Sequence, residues 1–241
     1  MISSLDWDSK FFGVKTGRLD TADLSVVDLV AGLKTINENK YQLVYIFTSH
    51  IDEVMKYEVI KAGGKLVDEK VTYSMNISGF VPDLTDKIYS CKGTKPDKDL
   101  EVLAIESGKY SRFRTDDRIP RKKFEELYLL WMKNSLNGTF ASEVFTYMED
   151  GKKLGMVSID IRKGEGWIGI IAVNEAFRGR SIGKLLIHTV IQYCKENEVD
   201  ILNVQTQMKN KVSCAFYEKN GFKIRNIEDV YHFWTEKKIN N

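Results

Sequence analysis

The chain is short of cysteine and histidine, carries little excess charge and has no long apolar run. Its three cysteines, Cys91, Cys194 and Cys214, are odd in number and lack C-x-x-C spacing, and its three histidines are scattered. That pattern argues against a disulfide framework and against a clustered structural metal. No segment approaches the run of about 20 apolar residues that spans a bilayer, and the amino terminus carries Asp6 and Asp8 where a secretory leader would be basic. The expectation is a soluble, cytoplasmic protein with no membrane partner. A formal net charge of +2 does not indicate a polyanion-binding surface, so no nucleic-acid partner is expected. What is present is a 241-residue chain, long enough to bury a full core as one large domain or two small ones.

The most informative stretch is Phe177-Arg178-Gly179-Arg180-Ser181-Ile182-Gly183-Lys184. It follows the apolar strand pattern Trp167 to Val173 and precedes a helical pattern with Ile182, Leu185, Leu186, Thr189, Val190 and Tyr193 on one face. The first N–H groups of a helix have no intrahelical partner, so small residues there let an anion approach several of them at once. Arg178, Arg180 and Lys184 add positive charge at the same point, and a pyrophosphate is the natural guest. Glycines at a strand-helix junction also serve tight packing, so the context must carry the reading. Cys194, on the same helix, is expected to pack.

A displacement of about 158 positions brings the chain onto itself. Leu43 to Thr48 falls on Ile201 to Thr206, and Lys61-Ala62-Gly63-Gly64 falls on Lys219-Asn220-Gly221-Phe222. Each copy reads helix, strand, helix, Gly stop and strand. The first copy has Asp52 and Val59 where the second has Asn210 and Tyr217, and Asp20-Thr21-Ala22-Asp23 where the second has the phosphate turn. It is expected to be a scaffold. Cys91 to Asp99 reads as a linker, Leu103 to Lys109 as a short helix and Phe124 to Leu136 as a longer one. Phe145 to Met148 and Leu154 to Ile159 flank the hairpin pair Asp150-Gly151, with a return through Gly164-Glu165-Gly166. Leu5 to Lys15 reads as an aromatic hairpin plugging the first copy.

Asn210 suits a helix N-cap, and Tyr217 follows seven residues later, close to two turns on and so on the same face. An unperturbed phenol, with a pKa of about 10, stays protonated at neutral pH and can give up its proton as a general acid. A backbone N–H of the Ile170 to Val173 strand is the expected oxyanion donor. Glu165 reads as a solvent-exposed turn residue, and no general base is assigned. Tyr110 to Pro120 packs three arginines and two aspartates around Phe113, a loop suited to gripping phosphate and stacking a base.

The strand, Arg178, Ser181, Gly183 and helix order resembles the acetyl-CoA signature of the GCN5-related N-acetyltransferase (GNAT) superfamily, with Ser181 in place of the usual Gly. The segment from Asn210 to Tyr217 resembles that superfamily's second block. The resemblance implies an α+β fold with a mixed sheet. Acetyl-CoA would be held by Ile171, Ala172, Val173, Arg178, Gly179, Arg180, Ser181, Ile182, Gly183, Lys184 and Asn210, with Tyr217 protonating the leaving thiolate. The blocks Trp7-Asp8-Ser9-Lys10-Phe11-Phe12-Gly13, Ser111-Arg112-Phe113-Arg114 and Thr206-Gln207-Met208-Lys209-Asn210 resemble the narrower family of TDP-fucosamine acetyltransferases. That likeness implies a degenerate GNAT-like domain over 1–92, a complete GNAT domain over 93–241, a homodimer, and a nucleotide-linked amino sugar as acceptor for surface polysaccharide, its phosphates met by Arg112 and Arg114. Two other readings share these residues: acetylation of a protein or peptide amine, and a module that binds acetyl-CoA without turnover.

Overall fold

The computed structural model describes residues 2–235. The first copy supplies β1 (Ser3–Ser4), α1 (Asp6–Phe12), β2 (Thr16–Asp20), α2 (Val26–Glu38), β3 (Leu43–Ser49), α3 (Glu53–Lys61) and β4 (Lys65–Asn76). There follow β5 (Ile88–Ser90), α4 (Lys98–Ser107), α5 (Arg112–Thr115), α6 (Arg121–Leu136), β6 (Glu143–Glu149), β7 (Lys152–Arg162) and β8 (Glu165–Val173). Last among the described elements come α7 (Ile182–Glu196), β9 (Ile201–Gln207), α8 (Lys211–Lys219) and β10 (Lys223–Trp234). The internal displacement holds element by element: β3, α3 and β4 fall end to end on β9, α8 and β10. Gly63 and Gly221, both at positive φ, separate helix from strand in each copy.

One ten-stranded mixed sheet runs β1-β2-β3-β10-β4-β9-β8-β7-β6-β5. Its centre is an exchange. The last strand of the second copy, β10, lies between β3 and β4, and the last strand of the first copy, β4, lies between β10 and β9. On one face α7 and α8 bury Ile182, Leu186, Val190 and Cys194 against Val71, Tyr73, Val157 and Leu202. On the other, α4 and α6 bury Leu103 and Met132 against Met156 and Ile170. Leu185, Thr189 and Tyr193 lie at the edge of the α7 contact, which is centred one residue further round, on Ile182, Leu186, Val190 and Cys194.

Three local expectations change. Leu5 to Lys15 is not a hairpin: α1 occupies it, with acidic residues in its first turn and Gly13 as a left-handed C-cap at φ 71°. The helix expected over Leu103 to Lys109 starts earlier, at Lys98, because the Asp97 side chain accepts the Leu100 N–H and caps it. That shortens the linker, and Cys91 is itself buried, its N–H donating to the Val144 carbonyl. The second hairpin turns on Lys163 and Gly164, both left-handed, so Glu165 is the first residue of β8 instead of a loop residue.

Candidate active site

The sheet opens between β8 and β9. These parallel strands pair only through Gly166, Trp167 and Ile168 against Leu202, Asn203 and Val204. Beyond that point β8 stays with β7 as far as Val173, and β9 stays with β4 as far as Gln207, so their carboxyl ends part. A bulge drives the parting: the register of β7 and β8 slips between Val157 and Ile159, and the Ser158 hydroxyl accepts the Ile170 N–H at 2.8 Å. Ile170 is thereby removed from the expected oxyanion donors, leaving the stretch Ile171, Ala172 and Val173 on that bank. The first copy has no such opening, since β2 and β3 remain paired from Thr16 to Asp20 and Thr21 continues the pairing to the Phe47 carbonyl.

The turn from 178 to 184 closes the end of the opening on the β8 side. Among the described residues, the N–H groups of residues 179–184 donate to no carbonyl or side chain. They form an unfilled row of donors at the positive end of the 15-residue α7. Gly179 sits at φ 80° and Ser181 at φ 61°, so the departure from Gly at Ser181 is met by a left-handed serine. Gly183 serves packing as well as access, because a Cβ there would lie 3.2 Å from the Phe216 ring of α8. Arg178 is bonded to Glu106 at 2.7 Å, Arg180 to Glu149 at 2.5 Å, and Lys184 lies 4.0 Å from Asp83. All three cations are half exposed and held by surface carboxylates, contacts that an entering diphosphate can exchange at little cost.

The facing bank carries Asn210 and Tyr217. Asn210 caps α8, its side chain accepting the Ser213 N–H at 3.2 Å. Tyr217 is 3 % exposed, with its ring against Tyr73, Phe216 and Phe222, and its hydroxyl makes no hydrogen bond to the described residues. Burial pushes the phenol well above its usual pKa. Glu165 lies at the opposite end of β8, where Asn203 and Arg225 donate to its carboxylate, and takes no part in the opening.

The arginine-rich loop packs against the first copy. On α1, Trp7 stacks on Phe11, and Phe12 stacks on Phe113 of α5 at 5.8 Å. Tyr45 of β3 donates to Asp8 at 3.2 Å, and the Arg112 guanidinium lies over the Tyr45 and Phe113 rings at 4.6 and 4.5 Å. Arg112 makes no ion pair among the described residues, and Arg114 is exposed without one. Of the loop's two aspartates, Asp116 turns inward and Asp117 stays exposed. Asp116 accepts from His232 at 2.6 Å and from Trp234 at 2.8 Å; burial opposes its charge, but these bonds hold it well below the carboxylate range. Burial in turn lowers His232 to about 4. Arg118 pairs with Asp116, and Asp117 with Lys65.

The site thus combines a splayed mixed sheet, a helix-capped donor row on one bank and a buried phenol on the other. Residues 107–222 match the Acetyltransferase (GNAT) family. The chain is 26 % identical over 136 residues to the spore coat polysaccharide biosynthesis protein SpsD of Bacillus subtilis, covering 56 % of this chain and 47 % of that one. It spans about half the length of the curated relatives SpsD and MJ1207. In fold it is similar to a GCN5-related N-acetyltransferase from Sphaerobacter thermophilus, with TM-score 0.64 and 13 % identity, over all of this chain and 78 % of that one. A tandem GNAT protein from the clavulanic acid biosynthesis pathway gives TM-score 0.61 and 13 % identity over 93 % of this chain and 76 % of that one.

Sequence reading missed Asp68 of β4 on this side of the sheet. It is 6 % exposed and burial raises it to about 7, yet no motif surrounds it in the sequence.

Proposed function

We propose that the protein transfers acetyl from acetyl-CoA to the amino group of a nucleotide-linked amino sugar, with a TDP-linked amino-dideoxyhexose as the favoured acceptor. The parting of β8 and β9, flanked by the free N–H row at 179–184 and by Tyr217, carries this reading. The cofactor supplies an activated acetyl thioester. The turn and its three cations bind the diphosphate, Ile171 to Val173 line one bank, and Asn210 fixes the start of α8 on the other. Tyr217, kept protonated by burial, holds the proton that the departing thiolate needs.

The acceptor assignment draws support from the meeting of α1 with α5. Two sequence blocks more than ninety positions apart, around Trp7 and around Arg112, pack into one cluster of aromatic rings, a carboxylate and a guanidinium that has no ion pair among the described residues. That chemistry suits a base, a hexose and a diphosphate. SpsD, named for polysaccharide biosynthesis, points the same way.

The deciding experiment incubates the protein with acetyl-CoA and a panel of TDP- and UDP-linked amino sugars, with free thiol and product mass as readouts. Thiol release that depends on an amino sugar supports the reading. Release with peptide amines alone replaces the acceptor, and failure of coenzyme A to bind removes the transferase account.

A further inference from the structure

The reaction needs a group to take the proton of the attacking amine, and neither Glu165 nor any residue of the opening's own banks meets that need. Asp68 does. Its strand, β4, is the immediate neighbour of β9: Lys70 pairs with Gln207, and the Met208 N–H donates to the Glu69 carbonyl at 2.8 Å. Asp68 therefore lies just past the carboxyl end of β9, at the sheet edge where β9 leads into Asn210. By strand alternation it shares a face with Lys70 and Thr72, opposite Tyr73, whose ring packs on Tyr217. The phenol thus approaches the opening from the α8 side and Asp68 from the α5 side.

The surroundings distinguish this carboxylate from a structural one. Buried carboxylates are ordinarily hydrogen-bonded, yet Asp68 accepts no hydrogen bond from the described residues. Arg112 of α5, Lys70 and Glu69 of β4 and Lys209 after β9 act on it at longer range, and Tyr128 of α6 is also near. Of the neighbouring carboxylates, buried Asp116 is held by His232 and Trp234 and half-buried Asp8 by the Tyr45 hydroxyl, and β3, which carries Tyr45, is separated from β9 by β10 and β4.

Resting on the transferase reading above, we infer that Asp68 is the catalytic base, and that through the exchanged strand β4 the first copy supplies a reacting group. The amine nitrogen forms its bond to the acetyl carbon as the carbon–sulfur bond breaks. The nitrogen's proton passes to the Asp68 carboxylate, and the Tyr217 proton passes to the sulfur. Solvent then returns a proton to the phenolate and takes one from Asp68, and an acceptor that arrives as an ammonium releases its extra proton to solvent first.

The test compares wild type with Asp68→Asn, using TDP-4-amino-4,6-dideoxyglucose as acceptor. The variant is expected to lose about 100- to 1,000-fold in kcat/KM, with acetyl-CoA affinity unchanged. The wild-type kcat/KM should rise with pH through a midpoint near 7, and that midpoint should vanish in the variant. A second measurement reads stability. A carboxyl raised on folding is neutral in both states below its ordinary pKa, disfavours the fold increasingly as pH rises from 4 to 7, and does so fully above 7. Asp68→Asn should therefore raise the melting temperature at pH 8, with the gain disappearing near pH 4. Unchanged kcat/KM in the variant, or a lower melting temperature at pH 8, overturns the assignment. Wild-type protein that binds acetyl-CoA but leaves this sugar unacetylated overturns the acceptor reading instead, and the melting comparison still decides Asp68.

Discussion

Tyr217 shows how a residue reads differently in sequence and in space. Its spacing from Asn210 was visible as two helical turns, and its protonated state followed from an ordinary phenol. The structure adds the apolar ring cluster of Tyr73, Phe216 and Phe222, which raises the pKa further and keeps the proton in place through alkaline pH. Tyr217→Phe is expected to lower kcat about 100-fold with acetyl-CoA affinity unchanged, measured by steady-state kinetics and calorimetric titration. Wild-type turnover should show no decline attributable to this group up to pH 9. Asp68 was illegible for a related reason. Its environment is made by α5, β9 and α6, elements distant in the chain, and nothing within a few residues of it marks a carboxylate that accepts no hydrogen bond.

At the scale of elements, the strand, turn and helix from Trp167 to Glu196 could be read because each piece is local: a hydrophobic run, a glycine turn, a 3.6-residue period. The bulge at Ser158 could not, since it is a relation between two strands, and it ties up the Ile170 N–H. The turn's glycines also have separable duties. Gly179 provides a left-handed bend, whereas Gly183 lets α7 approach α8. Gly183→Val would drive its side chain into the Phe216 ring and displace the two banks of the opening. An acetyl-CoA affinity at least ~10-fold weaker is expected, corresponding to about 1.4 kcal/mol, with the phosphate turn otherwise intact. Asn210→Ala removes the cap of α8 and should destabilise the protein by about 1 kcal/mol, read by denaturant unfolding.

At the scale of the whole molecule, the duplication was legible as a displacement of about 158 positions, but the exchange of final strands was not, because a repeat reveals which segments are alike and not which ones pair. Dividing the sequence at residue 92 separates two copies; it does not separate two sheets. β4 has both of its hydrogen-bonded neighbours, β10 and β9, in the second part of the chain, and β10 has both of its neighbours, β3 and β4, in the first. A fragment of residues 93–241 would lose Val71, Tyr73 and Ile77 from the core around Tyr217 and expose β9 and β10 as unpaired edges. Each fragment expressed alone is expected to aggregate or remain unfolded, while the two expressed together should assemble into an acetyl-CoA-binding complex. Cleavage of the intact chain within the exposed segment Lys92–Lys95 should leave the halves associated through gel filtration. Independent folding of 93–241 with undiminished cofactor affinity would mean that the exchanged strand adds nothing to the site, and would count equally against a reacting group on β4.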